Sequence, residues 1–143
     1  MKIQPLQSLQ PISGWEDFFR HGQGYLNAAV GAHRKQVQAF TPEILYNLAA
    51  MAIEKFVMAA LMRHGAMPYN HTMVDLVEAM EKTFPGRLGQ IQDDLLRLDK
   101  YQEICDLDGF KISPPKPEEI PAMLEVAEKL RELVLGELLA CNV

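Results

Sequence analysis

The sequence predicts an all-α protein, a single helical bundle, and three observations carry that expectation. The 143 residues hold 18 Leu and 14 Ala against 8 Val, 8 Ile and 3 Thr, a balance that favours helix over strand. No stretch alternates apolar and polar residues with the period of a half-buried strand. Apolar residues instead recur at three- and four-residue spacing through most of the chain. At 16.2 kDa one domain, 1–143, is expected, with about two-thirds of its surface buried on folding.

Residues 1–13 read as an extended arm. The first helix is predicted over Gly14–Phe40, with Trp15, Phe18, Leu26, Ala29, Val30, His33, Val37 and Phe40 on one stripe. Gly22, Gly24 and Gly31 interrupt it and suggest a kink or a close approach near Gly22 and Gly24. Thr41 followed by Pro42 and Glu43 is a strong helix start: cap, proline in the first turn, and an acid at the positive end. The second helix, Pro42–His64, is apolar almost all the way round. One face is Leu45, Leu48, Ala49, Ala52, Phe56 and Ala59, and Met51, Met58 and Met62 extend it. Such a helix lies at the centre of a bundle, or its second face meets another subunit. Gly65 and Pro68 end it.

A short third helix is expected over Thr72–Lys82 and a fourth over Leu88–Ile104. Asp106–Pro117, with one Gly and three Pro, is the one long loop. The last helix, Glu118–Leu139, buries Ile120, Met123, Leu124, Ala127, Leu130, Val134 and Leu138, and Pro121 is tolerated because it falls in the first turn. The sum is four long helices and a short one.

Composition narrows the functional classes. A net charge of -5 and a pI near 5.3 give no overall basic footprint, so nucleic acid is not the expected partner. Only three Ser and three Thr are present, and Thr41 and Thr72 read as caps, which argues against a hydroxyl-nucleophile hydrolase. Cys105 and Cys141 are too few for a disulfide framework or a zinc site and read as reduced thiols of a cytoplasmic protein. The N-terminus shows no apolar core of a signal peptide, and Glu54 and Lys55 break the most apolar stretch, Ile44–Met62, so no membrane span is expected. His21, His33, His64 and His71 include no pair four apart, so no metal and no cofactor is expected. Asp106, Asp108 and Gly109 echo a calcium loop but lack its other ligands.

What remains is a set of cations beside the apolar helix. The turn from Arg63 to His71 is the densest polar cluster, where Arg63, His64 and His71 would meet an anion at the start of the third helix. His33 reads as a core histidine. Glu54, inside an apolar helix, calls for a hydrogen bond to a facing element or for a solvated gap.

Ala52-Ile53-Glu54-Lys55-Phe56-Val57-Met58-Ala59-Ala60-Leu61, a short Gly/Pro turn, and then His71 leading into Val74-Asp75-Leu76 resemble the HEPN family, with its E-K-x-x-x-A helix and following histidine. Leu98 and Tyr101 before a loop, and the last helix, fall in matching order, so the resemblance spans about Thr41 to Leu139. It implies an up-and-down bundle, a homodimer packed through long helices, and a prokaryotic cytoplasmic setting. HEPN proteins include metal-independent ribonucleases and non-catalytic members. The latter bind nucleotides or accompany a minimal nucleotidyltransferase, often as toxin–antitoxin pairs. The ribonuclease motif is Arg followed by His after four to six residues near the last helix. Here Cys105-Asp106-Leu107-Asp108 stand in that region, and the nearest pair, Arg63 and His71, is 71 − 63 = 8 apart and lies in the wrong turn.

The leading expectation is therefore a non-catalytic dimeric binding module. Lys55, Arg63, His64 and His71 would contact a nucleotide-like or other small anion, or a nucleotidyltransferase would be the partner. A ribonuclease using Arg63 and His71, and a structural subunit docking through the apolar face of the second helix, are the alternatives.

Overall fold

The computed structural model describes residues 10–101 and 114–139, and all regular structure among them is helical. The elements are α1 (Trp15–Arg34), α2 (Pro42–Arg63), α3 (Met73–Thr83), α4 (Ile91–Arg97) and α5 (Ile120–Leu133). A 3₁₀ turn, Leu98–Tyr101, continues α4; another, Pro117–Glu119, leads into α5, which widens into a π turn over Val134–Leu139.

α2 is the axle of the fold and packs against α1, α3 and α5. Every residue from Phe56 to Met62 is buried, so the all-round apolar pattern is that of a central helix. It is also long and apolar enough to cross a membrane, but most of its apolar stretch is buried inside the molecule. Its ends follow the sequence signals. The Ile44 amide donates to the Thr41 hydroxyl at 3.3 Å, and Gly65, at φ 75°, closes the other end. There Gly65 N–H donates to the Met62 carbonyl and Ala66 N–H to the Leu61 carbonyl, the paired bonds of a Schellman turn.

α1 stops six residues short of the predicted Phe40. The same pair of bonds ends it, Gln36 N–H to His33 and Val37 N–H to Ala32, with Gln36 taking the left-handed conformation at φ 53° in place of a glycine. Val37 is consequently 40% exposed and off the buried stripe. The buried side of α1 is Gly22, Leu26, Ala29 and Ala32. At Gly22 the helices touch: a Cβ there would lie 2.7 Å from the Phe56 ring. The interruption seen in the sequence is close packing at that one glycine.

The Thr72 hydroxyl accepts from the Asp75 amide at 3.1 Å and starts α3, which ends one residue past the predicted Lys82. The fourth helix differs most from expectation. It begins at Ile91, after Gly86 and Gly89 with positive φ, and loses α winding at Leu98. Two long-range bonds hold that tightened end. Tyr46 of α2 donates its hydroxyl to the Leu98 carbonyl at 3.2 Å, and Asp99 accepts from the Met73 amide at 3.3 Å. The predicted end at Ile104, the Asp106–Ser113 part of the loop, both cysteines and the Asp106/Asp108 pair lie outside the described residues. All seven predicted core positions of the last helix are buried, five in α5 and two, Val134 and Leu138, in the π turn, with Pro121 in the first turn of α5.

Candidate functional site

The two helices that frame the candidate site run antiparallel, so the start of α1 lies against the end of α2. That register brings two α2 cations under two α1 aromatics. Lys55 Nζ lies 4.9 Å from the centre of the Phe18 ring, and the Arg63 guanidinium 5.4 Å from the Trp15 ring. Trp15 and Phe18 are three residues apart and share a face of α1. Lys55 and Arg63 are eight apart on α2, about 12 Å along its axis. Ala59, fully buried, lies between them on the helix. The Ile12 amide donates to the Met62 carbonyl at 2.7 Å, bringing the chain before α1 across the end of α2.

Among the described residues neither Lys55 nor Arg63 has a carboxylate within 4 Å, whereas Arg20, Arg87, Arg97, Arg131 and Lys129 all do. The aromatic ring orients each cation without neutralising it, which leaves its hydrogen-bond donors open.

The histidines go elsewhere. His64 meets the edge of Phe84, beyond α3, with ring centres 4.9 Å apart and an interplanar angle of 88°. His71 pairs through Nδ1 with Glu54. That pair sits in a groove of about 270 Å³ between α2 and α3, floored by Met51, Met73 and Leu76. Glu54 thus has the facing partner its position called for. The anion cluster expected of Arg63, His64 and His71 is not assembled. Glu54 and Arg63 are nine residues apart on α2, so His71 sits about 13 Å from the level of Arg63. The turn spreads the three side chains over three neighbours, Trp15, Phe84 and Glu54.

A second groove, about 340 Å³, lies between α4 and α5. Burial and then a hydrogen bond to Glu119 push the Tyr101 phenol up to about 12. The backbone amide of Lys116, and after it the Tyr101 hydroxyl, holds the Glu119 carboxyl below its ordinary range. Burial, the Asp99 carboxylate and Tyr101 likewise raise Tyr46. Both phenols stay protonated at neutral pH and act as hydrogen-bond donors, with no phenolate available as a nucleophile. Among the described residues no three His, Cys, Asp or Glu side chains converge in a way that would hold a metal ion.

The chain matches no protein-family model, no curated protein and no solved structure. Its chemistry is therefore read from the side chains. Sequence reasoning named Lys55, Arg63, His64 and His71 together and missed Trp15 and Phe18 as partners of the first two. Both aromatics were visible on the apolar stripe of α1. Their pairing with particular cations depends on how α1 lies on α2, and no local pattern encodes that.

Proposed function

We propose that the protein is a non-catalytic binding module for a nucleotide-like or comparable small anion. The contacts are made along the α1–α2 edge by Lys55 and Arg63. One observation carries this reading: two cations without carboxylate partners among the described residues, each held against an aromatic face. A phosphate accepts charge-assisted hydrogen bonds from such donors, and a flat base has aromatic surface within reach. His64 and His71 drop out of the contact set, because Phe84 and Glu54 occupy them. The separation of Arg63 from His71 favours binding over RNA cleavage, since metal-independent cleavage needs its acid–base group and its phosphate-binding cation in one groove. A HEPN-like bundle, a homodimer and a nucleotidyltransferase partner belong to the same proposal and rest on the resemblance of Ala52–Leu61 and His71–Leu76.

The test is thermal unfolding with a panel of nucleotides at about a hundred times a micromolar dissociation constant. Binding to the folded state adds about 2.7 kcal/mol and raises the midpoint by several degrees. Arg63→Ala and Lys55→Ala should each abolish most of that shift while changing the unliganded midpoint much less, a half-buried cation–aromatic contact contributing about 1 kcal/mol. Absence of a shift across the panel would remove the small-anion reading.

A further inference from the structure

The turn joining α2 to α3 displays an aromatic side chain in the open. Tyr69 is 89% exposed and Met67 55%, the two most exposed large apolar side chains among the described residues. The turn is anchored at both ends, by the Gly65 closure of α2 and by the Thr72 cap of α3. Facing it across a groove of about 620 Å³ is one stripe of α3 carrying Asp75, Glu78 and Lys82. Asp75 accepts from the Thr72 hydroxyl at 3.0 Å. Among the described residues neither Asp75 nor Glu78 has a cationic side chain within 4 Å.

One wall is thus apolar and aromatic and the opposite wall carries two carboxylates without cationic partners among the described residues. Tyr and Met in such positions are enriched at the centres of protein interfaces, where an aromatic contributes large contact area with few rotatable bonds. The complement is a side chain that is flat on one side and cationic on the other. A guanidinium stacks on a phenol ring and forks onto a carboxylate, whereas an ammonium does only the second well. Lys82, one turn beyond Glu78, repels a second cation and so confines the first to the Asp75–Glu78 end.

We propose that this groove docks an arginine-bearing segment of a partner protein, with the guanidinium between Tyr69 and Glu78 and an apolar neighbour against Met67 and Pro68. The groove lies at the turn between α2 and α3, lined by none of the residues of the Lys55–Arg63 edge, so the two sites can be tested separately.

The experiment follows the backbone amide resonances of the ¹⁵N-labelled full chain during titration with N-acetyl-Leu-Arg-Leu-amide, with the Leu-Glu-Leu peptide as control. Saturable shifts confined to residues 66–69 and 75–82 are expected, from the arginine peptide alone. Tyr69→Ala and Glu78→Gln, both at exposed positions, should each weaken binding at least about threefold, and Lys82→Glu should tighten it. Shifts scattered over the acidic surface, shifts centred elsewhere, equal response to both peptides, or no response at millimolar peptide would each overturn the proposal. A nucleotide that moves these same resonances would overturn it too, by making the groove an anion site.

Discussion

Glu119 shows how a single side chain here does structural work that resembles chemistry. Its carboxylate accepts from the Lys116 amide at 2.8 Å and from the Tyr101 hydroxyl, joining the start of α5 to the end of the α4 segment. Both donors favour the ionised form, so the folded-state value lies below that of the unfolded chain. The stabilisation is present above the ordinary carboxyl value near 4.5 and is lost as the pH falls through the lower folded-state value. Glu119→Gln should therefore be less stable than the parent at pH 7, and the gap between their urea midpoints should shrink below pH 4.5. A gap independent of pH would mean that the ionised carboxylate contributes nothing. Lys55 and Arg63 show the converse. They are held by uncharged rings, so their charge stays available to a ligand, which is why the nucleotide test turns on them.

Between elements, the approach of α1 to α2 is set at Gly22. Three glycines lower the intrinsic helicity of α1, each by about 1 kcal/mol relative to alanine, but they are not equivalent. A Cβ at Gly22 meets the Phe56 ring at 2.7 Å and the Ala52 carbonyl oxygen at 3.2 Å, while Gly24 and Gly31 have open space. Gly22→Ala should destabilise by about 1–3 kcal/mol through overpacking. Gly24→Ala should stabilise by up to about 1 kcal/mol, both read from denaturant midpoints. Equal effects of the two would show that the helices separate without cost, and would loosen the register that places Trp15 and Phe18 over their cations.

For the whole molecule, the decisive fact is that α2 is enclosed by its own chain. The sequence left open whether its second apolar face meets another subunit. Met58 is 2% exposed and Met62 5%, whereas Met51, two turns earlier on the same side of the helix, is 37% exposed. Met58→Asp would bury an unpaired carboxylate, at a cost of several kcal/mol against a total stability of about 5–15 kcal/mol. Loss of the cooperative thermal transition is the expected result. A folded monomer released from an oligomer would instead restore the α2 face as an interface. Of the large apolar side chains on α2, only Ile44 and Met51 remain exposed among the described residues.

Helix identity and core composition were legible in the sequence because both follow from local rules. The caps at Thr41 and Thr72, the stop at Gly65 and the five predicted core positions of α5 are set by hydrogen bonds within a turn and by the 3.6-residue period. Two boundaries were not legible. Gln36 adopts a conformation usually taken by glycine, and α4 loses its α winding at Leu98, where Tyr46 bonds to Leu98 and Met73 to Asp99 from 52 and 26 residues away. The candidate site divided in the same way. The sequence alone determined that Lys55, Arg63, His64 and His71 lie on or beside an apolar helix. Tertiary structure decided which of them stay available, because a ring of α1, the edge of Phe84 or the carboxylate of Glu54 reaches each one only across the packed bundle. The spacing of residues along the chain does not specify the direction in which one helix crosses another.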